Sequence, residues 1–284
     1  MSIREALDSA VDALTAAGVD EPRLDAELLL GEGMGRRRAA LVADPGAEVP
    51  PAAARHFGEM VRRRLRREPV AYILGRKGFR NLDLAVDPRV LIPRPETELL
   101  VELALELRPP RVLDVGTGSG AIALAVADEL PEAEVVATDT SPGALEVARA
   151  NAQRLGLAER MRFVEGTLPD ESERFDLILA NLPYVAERDW PSLQPEVTKY
   201  EPREALLAGR DGLDAYRALI PECSGHFFRY ANEMTGALAA EVGEGQAEAV
   251  AELMRASGFG EVETRRDLAG IERVVVGRSV KPGA

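Results

Sequence analysis

From Pro95 onward, short apolar segments alternate with stretches of helical periodicity. Parallel strands need long crossover connections, so this alternation predicts an α/β fold with an open, mostly parallel sheet. A ligand of such a sheet binds at the carboxyl ends of its strands. The predicted parallel strands are Arg111–Val115, Glu134–Asp139, Met161–Val164, Phe175–Ala180 and Gly236–Glu241. Two later segments, Phe259–Thr264 and Ile271–Val276, are expected to pair antiparallel at one edge.

The first quarter of the chain has a different pattern. Apolar residues between Ile3 and Leu14 repeat at helical spacing, and further amphipathic stretches follow up to about residue 75. Between residues 79 and 92 the period changes to two, which is typical of a β-hairpin, with Asp87-Pro88 as its turn. We therefore predict a helical docking domain at residues 1–75, a connecting β-hairpin at 76–93 and the α/β domain at 94–284.

Cysteine and histidine are scarce, which limits the chemistry that the chain can perform. Cys223 is the single cysteine, so an internal disulfide and a thiolate cluster are excluded. His56 and His226 lie far apart in sequence and argue against a metal site or a Ser-His-Asp triad, so no metal is expected. No segment approaches the ~20 apolar residues that span a membrane. The sequence predicts a cytoplasmic protein without a membrane partner.

The net charge of −13 argues against direct binding to a phosphate backbone. Positive charge is nevertheless concentrated between Arg36 and Arg80, where twelve Lys/Arg stand against four Asp/Glu. The density is greatest between Arg62 and Arg67. Two interpretations stay open here: a solvated helix face, or a docking surface for an acidic or RNA-associated partner.

A glycine-rich turn follows the first predicted strand of the α/β domain. Its residues are Gly116, Thr117, Gly118, Ser119 and Gly120. Glycine permits positive φ and close approach of a ligand to the backbone. Asp139, at the end of the next strand, is placed to bind the two hydroxyls of a ribose. The pattern indicates either S-adenosylmethionine (SAM) or, because the spacing also satisfies the dinucleotide fingerprint, NAD; a turn that only packs a helix on a strand is the simplest alternative.

The fourth predicted strand ends in Asn181-Leu182-Pro183-Tyr184, at the same edge as the glycine turn. The lone pair of an amide or aromatic amine is delocalised, so its methylation requires the NH2 group to be held in line with the methyl donor. The side-chain oxygen of Asn181 and the carbonyl of Leu182 can each accept one N–H, and Tyr184 can pack on the planar substrate group. Each hydrogen bond contributes about 1–3 kcal/mol and alignment about 7–11 kcal/mol. The segment therefore favours SAM-dependent methyl transfer to a planar nitrogen without a strong general base, and a simple turn is the alternative.

With these residues in hand, the chain resembles the HemK family of glutamine N5-methyltransferases. Family-like signatures occur in order along nearly the whole chain, at Pro69–Gly75, Leu91–Glu98, Asp114–Gly120, Asp139, Asn151, Glu201-Pro202, Ala205-Leu206, Gly209, Asp211-Gly212-Leu213, Glu241, Gly243 and Gln246. The resemblance implies a SAM-dependent methyltransferase of Rossmann-like fold. It also implies the substrate, which is the glutamine of the Gly-Gly-Gln motif in peptide chain release factors, modified at its side-chain nitrogen N5.

The resemblance further implies roles for individual residues. The glycine turn, Gly116–Gly120, would bind the methionine and ribose parts of SAM, and Asp139 its ribose hydroxyls. Asn181 would contact both the cofactor and the substrate amide, while Tyr184 would face the glutamine. Pro93–Thr97 would help to wall the pocket. The implied catalytic residues are Asn181, Leu182, Pro183 and Tyr184, and the cofactor-binding residues are Gly116, Thr117, Gly118, Ser119, Gly120, Asp139, Leu168 and Asn181.

Three positions depart from the family pattern. Leu182 stands where the family usually has proline, Thr167 stands where relatives carry an acid near the adenine, and Cys223–Thr235 is longer and more aromatic than the turn in relatives. Other functions that stay open are glutamine methylation of a ribosomal protein, methylation of adenine in a nucleic acid, and a SAM- or NAD-binding protein without catalysis.

Overall fold

The computed structural model describes residues 1–227 and 236–279, and the chain forms two compact units. Its α-helices are α1 (Ile3–Ala16), α2 (Pro22–Met34), α3 (Arg38–Ala43), α4 (Pro51–Leu65), α5 (Val70–Leu74), α6 (Glu98–Leu107), α7 (Ala121–Glu129), α8 (Pro142–Leu155), α9 (Pro195–Tyr200), α10 (Asp214–Cys223) and α11 (Ala247–Ala256). Its strands are β1 (Arg76–Phe79), β2 (Leu82–Ala85), β3 (Arg111–Val115), β4 (Glu134–Asp139), β5 (Met161–Glu165), β6 (Leu177–Ala180), β7 (Ala237–Glu241), β8 (Phe259–Arg266) and β9 (Glu272–Ser279).

The first unit is helical and contains Met1–Arg76 together with Leu193–Tyr200. Helix α1 begins with a reciprocal cap, in which the side chains of Ser2 and Glu5 each accept a hydrogen bond from the other's backbone N–H. Apolar side chains of α1, α2 and α4 form the core of this unit; they include Leu7, Leu14, Leu29, Leu30 and Phe57. The division predicted from the sequence treats this domain as one continuous segment, whereas the structure adds α9 from much later in the chain.

A buried ion-pair network explains why α9 belongs to the helical unit. Glu196 of α9 pairs with Arg64 at 2.7 Å and with Arg67 at 2.6 Å, and Arg64 also pairs with Asp25 at 2.6 Å. Arg63 is paired with Glu68, on the same helical unit. Much of the basic cluster that the sequence places between Arg62 and Arg67 is thus used inside the unit.

The second unit is built on a seven-stranded sheet with the order β5-β4-β3-β6-β7-β9-β8. The five strands from β5 to β7 are parallel, and β9 and β8 are antiparallel to their neighbours. The predicted α/β class and the antiparallel edge are therefore confirmed. Strand β3 lies between β4 and β6, where the strand order reverses, and the crevice at the carboxyl end of such a position is the usual ligand site of this architecture.

The β-hairpin is present, but its turn lies earlier than predicted. It pairs β1 with β2 through Arg80-Asn81, not through Asp87-Pro88, and residues 90–92 are not a strand. Burial alternates along β2 as the period of two requires. The strand ends at Ala85 because the side chain of Asn151 binds both its N–H, at 2.8 Å, and its carbonyl, at 3.0 Å.

Two remaining expectations concern the membrane and the segment after α10. Within residues 1–227 and 236–279, no helix is long and apolar enough to cross a membrane. The unusual segment predicted at Cys223–Thr235 begins at the last residue of α10, and residues 228–235 lie outside the described part of the chain.

Candidate active site

Strand β3 runs directly into the turn in which glycine alternates with polar residues. Gly116, Gly118 and Gly120 have φ of 73°, 56° and 86°, a left-handed conformation that glycine adopts without strain. The amides of Gly116 and Thr117 both donate to the Thr138 carbonyl of β4 at 2.9 Å. The turn is therefore fixed beside the neighbouring strand, at the carboxyl edge of the sheet.

Asp139 ends β4, and two backbone amides hold its carboxylate. Oδ2 accepts a hydrogen bond from Gly118 and Oδ1 accepts one from Ser141, each at 2.9 Å. A carboxylate oxygen has two lone pairs, so each of these oxygens can accept a further hydrogen bond from a ligand hydroxyl. This geometry fits the two adjacent hydroxyls of a ribose.

A second carboxylate, Asp114 in β3, is fully buried under the turn. Its Oδ2 accepts hydrogen bonds from the Thr117 hydroxyl at 2.6 Å and from the Ala123 amide at 3.2 Å, which tie the turn to α7. Its Oδ1 has no hydrogen-bond partner among the described residues. Burial, opposed by these two hydrogen bonds, raises the pKa of Asp114 to about 7. Asp114 supports the turn from the protein interior.

A cavity of about 320 Å³ opens over this edge of the sheet. Loops that follow β3, β4, β5 and β6 contribute to its lining, together with residues 89–97. The predicted cofactor-binding and catalytic residues that line it are Gly116, Thr117, Gly118, Ser119, Asp139, Asn181, Leu182 and Pro183. Folding thus brings together residues that are up to 67 positions apart in sequence, from Gly116 to Pro183.

Two predicted cofactor-binding residues do not line the cavity. At Gly120, a Cβ would lie 2.7 Å from the Leu124 Cδ1 atom one turn later in α7, so a side chain here would require Leu124 to move. Leu168 is partly buried and packs against a buried apolar cluster, and the neighbouring Gly166 and Thr167 line the cavity in its place. Of these two neighbours, Thr167 lines the cavity and Leu168 does not.

Asn181 follows β6 and presents two unused acceptors to this region together with Leu182. The Asn181 amide nitrogen Nδ2 donates to the Thr97 hydroxyl at 3.0 Å. Within the described ranges, neither Asn181 Oδ1 nor the Leu182 carbonyl accepts a hydrogen bond from the protein. The Leu182 side chain is buried in an apolar cluster, so the leucine is anchored by packing where a proline would be held by its ring.

Tyr184 lies beside the cavity without lining it, and a hydrogen bond and close packing fix the position of its backbone carbonyl. Gln246 donates from Nε2 to the Tyr184 carbonyl at 2.9 Å and accepts from the Gly243 amide at 3.0 Å. A Cβ at Gly212 would come within 2.3 Å of the same carbonyl oxygen. Burial and the nearby Glu241 raise the pKa of Tyr184 to about 12, so its hydroxyl stays protonated at neutral pH.

The segment before α6 forms one wall of the cavity, through Pro93 and Thr97 among others. The buried Glu201 holds this segment in place. One of its carboxylate oxygens accepts a hydrogen bond from the Ile92 amide at 3.1 Å, and the other pairs with Arg94 at 2.5 Å. The wall is therefore positioned by a residue more than 100 positions away in sequence.

Several residues beside the cavity received no role from the sequence. The sequence places Gly212, Glu241, Gly243 and Gln246 only within a family pattern, and Thr97 only within a predicted wall of the pocket. Their occurrence together with Asn181–Tyr184 is the one sequence feature that indicates a role at the site. Spacing alone does not show which side chain binds which.

Comparisons with known proteins agree with this geometry. Residues 5–75 match the family model described as the PrmC N-terminal domain, and residues 112–200 match a methyltransferase domain. The chain is 44% identical over 281 residues to the release factor glutamine methyltransferase of Geobacter sulfurreducens, covering 98% of this chain and 96% of the relative. It is 46% identical over 261 residues to the protein of the same name from Bordetella pertussis, covering 89% and 93%.

Solved structures support the fold. The catalytic domain of hMettl16 superposes with a TM-score of 0.57 at 14% identity, covering 70% of this chain and 76% of that chain. A 16S rRNA methyltransferase of T. thermophilus, in complex with AdoMet and guanosine, superposes with a TM-score of 0.51 at 17% identity, covering 72% and 50%. At these low identities, the two solved structures show the methyltransferase fold alone. The similarity to the two release factor glutamine methyltransferases extends over nearly the whole chain and shows the family. The chain belongs to the release factor glutamine methyltransferase family.

Proposed function

We propose that this protein transfers a methyl group from SAM to the side-chain nitrogen N5 of the glutamine in the Gly-Gly-Gln motif of peptide chain release factors. The observation that carries the proposal is the pair of unused acceptors, Asn181 Oδ1 and the Leu182 carbonyl, at a cavity formed by the glycine turn. A primary amide has two N–H groups, and two adjacent acceptors match them.

The residues at the cavity fit SAM. The backbone of Gly116–Ser119 would hold its methionine and ribose parts, and Asp139 offers acceptors for both ribose hydroxyls. Thr167 would lie toward the adenine. A Cβ at Gly118 would meet no atom within 4 Å, so the glycine keeps this backbone open on the side where a side chain would project. When bound, SAM supplies an electrophilic methyl group on a sulfonium.

The protein's own contribution is positioning. With one N–H on Asn181 Oδ1 and the other on the Leu182 carbonyl, the amide nitrogen is held with its lone pair available for in-line attack. Such alignment is worth about 7–11 kcal/mol of the barrier. The nitrogen becomes acidic only after it has gained the methyl group, so the proton can leave to water and no strong base is required. Tyr184, neutral at physiological pH, would pack against the substrate amide.

The proposed protein substrate also assigns work to the helical unit. Its match to the PrmC N-terminal domain supports a role in docking the release factor beyond the reacting glutamine. Arg62 and Arg66 are exposed and form no ion pair within the described ranges, so they offer positive charge to an acidic partner surface.

The decisive experiment incubates the enzyme with methyl-labelled SAM and intact release factor, beside a release-factor variant in which the Gly-Gly-Gln glutamine is alanine. We expect label on the intact protein and none on the variant, and label that persists on the variant would overturn the assignment. Ribosomal proteins serve as the competing acceptors. Asn181→Ala should lower kcat at least 100-fold while SAM binding, measured by calorimetry, changes little; unchanged turnover would refute the role of Asn181.

A further inference from the structure

A hydrogen-bonded chain leads from Asn181 at the cavity into the protein interior. Asn181 Nδ2 donates to Thr97 Oγ1 at 3.0 Å. The Thr97 hydroxyl in turn lies close enough to the buried carboxyl group of Glu241, at the end of β7, to lower its pKa through hydrogen bonding. Thr97 is 3% exposed and Glu241 is 1% exposed. Glu241 Oε2 has no partner among the described residues. The Tyr216 hydroxyl donates to the main-chain carbonyl of Glu241, at 2.6 Å, and not to its carboxyl group.

We propose that Thr97 and Glu241 are positioning residues that determine which way the Asn181 side-chain amide faces. A hydroxyl group has a single proton to donate. If Glu241 is a carboxylate, it can only accept, so the Thr97 proton points to Glu241 and the Thr97 oxygen accepts from Asn181 Nδ2. The amide oxygen of Asn181 is then turned away from Thr97 and is available to the substrate. This inference rests on the proposed function, because it assigns a task to Asn181 in amide methylation.

Protonation of Glu241 permits the opposite polarity. A neutral carboxyl group can donate to Thr97, whose own proton can then bind Asn181 Oδ1, which leaves the Asn181 NH2 group facing the substrate NH2. Two donors cannot pair, so that arrangement does not bind the reactive amide. This series of interactions therefore links the charge of the buried Glu241 to the ability of Asn181 to bind the substrate amide.

The surroundings of Glu241 place this change near neutral pH. Burial raises the pKa of Glu241 to about 7, the Thr97 hydrogen bond and the charges of Arg273 and Arg94 oppose the rise, and Glu96 adds to it. The charge of Glu241 also acts on Tyr184 and Tyr216, whose own pKa values lie far above this range. Ionisation of Glu241 is thus the change expected between pH 6 and 8 in this group of residues.

The first test compares Thr97→Val with Thr97→Ser. Valine matches threonine in shape but lacks the hydroxyl, and serine keeps it. We expect Thr97→Val to lower kcat for release-factor methylation by about 10- to 100-fold, because misplacement of a positioning group has effects of this size. The Kd for SAM should stay within about twofold, and Thr97→Ser should stay within about threefold of wild type in kcat. Equal kcat for the valine variant and wild type would overturn the proposal.

The second test uses Glu241→Gln and pH. A group with a pKa of about 7 is roughly nine-tenths ionised at pH 8 and one-tenth at pH 6, so wild-type kcat should fall several-fold over that range. Glutamine does not titrate, whereas Asp114, whose pKa is also about 7, is present in both enzymes. The kcat of Glu241→Gln should therefore fall less between pH 8 and pH 6 than that of wild type, and at pH 8 it should lie below that of wild type. A pH profile with the wild-type shape would refute the role of Glu241.

Stability supplies a readout that moves in the opposite direction. A carboxyl pKa raised by folding means that the unfolded state loses its proton first, so Glu241 costs stability increasingly as the pH rises from about 4.5 to about 7. Glu241→Gln should therefore raise Tm at pH 8 and leave it nearly unchanged at pH 4.5, while it lowers activity. A lower Tm at pH 8 would identify a structural role instead. Wild-type enzyme that fails to methylate release factor would count against the proposed function, whereas active wild type with unaffected variants would count only against this inference.

Discussion

At Gly212, the absence of a side chain determines where the loop after β6 can lie. A Cβ there would be 2.3 Å from the Tyr184 carbonyl oxygen and 3.1 Å from the Ala186 amide nitrogen, which are both backbone atoms. Gln246 binds the same carbonyl from another side. Gly212 and Gln246, which take no part in the reaction, therefore fix the position of Tyr184. Because Asn181 lies in the same loop, they also help to position Asn181.

We predict that Gly212→Ala lowers kcat at least tenfold, because the loop after β6 must move to make room for the alanine Cβ. Gly245→Ala is the matched control, since both glycines have φ of 79° and a Cβ at Gly245 would meet nothing within 4 Å. Each variant bears the left-handed strain of about 1–2 kcal/mol, but only Gly212→Ala adds the collision. Steady-state kinetics of the two variants check this, and equal losses would show that backbone strain alone is responsible.

At the scale of elements, α9 is held in the helical unit by charge. The carboxylate of Glu196 is shared by Arg64 and Arg67, and the three side chains are 8–15% exposed. Removing one member of a buried ion-pair network leaves its partners desolvated without compensation.

We predict that Glu196→Ala destabilises the helical unit by about 3–5 kcal/mol. Glu248→Ala, which removes the exposed Glu248–Arg255 pair, should cost no more than about 1 kcal/mol. Amide hydrogen exchange should show faster exchange in α2 and α4 for Glu196→Ala, with the protection of β3 and β4 unchanged. Wild-type exchange rates in α2 and α4 would contradict the structural importance of this network.

At the scale of the whole molecule, a net charge of −13 coexists with a basic region in the helical unit. Arg63, Arg64 and Arg67 are used in internal ion pairs. Charge reversal at these three arginines would therefore change the stability of the helical unit and would not report on the docking of a partner. Arg62 and Arg66 are exposed, so they are the residues with which to test a docking surface.

We predict that the double variant Arg62→Glu and Arg66→Glu raises KM for intact release factor several-fold, with kcat unchanged. The reason is that rim charges act mainly on encounter and orientation, which salt screens. The wild-type KM should accordingly rise with ionic strength. Two exposed arginines elsewhere, changed together as Arg4→Glu and Arg108→Glu, make the same change in net charge and serve as the control. An equal KM for the Arg62/Arg66 variant and the control would support the other interpretation, in which the basic cluster is a solvated helix face.

The sequence by itself determined the α/β class, the mostly parallel sheet and the edge of that sheet at which Gly116–Ser119, Asp139 and Asn181 meet. These follow from local periodicity and from turn residues, which depend on near neighbours in the chain. Leu182 retains the carbonyl that the proposed mechanism uses, because that carbonyl is a main-chain group, and its side chain is buried.

Only the tertiary structure decided the features that depend on distant partners. The hairpin turn lies at Arg80-Asn81, and β2 ends where Asn151 binds Ala85. Leu168 packs into an apolar cluster while Thr167 lines the cavity. Asn181, its partner Thr97 and the neighbouring Glu241 come from three separate segments of the chain. Hydrogen bonds and burial between residues far apart in sequence leave no local periodicity, so they become visible only when the chain is folded.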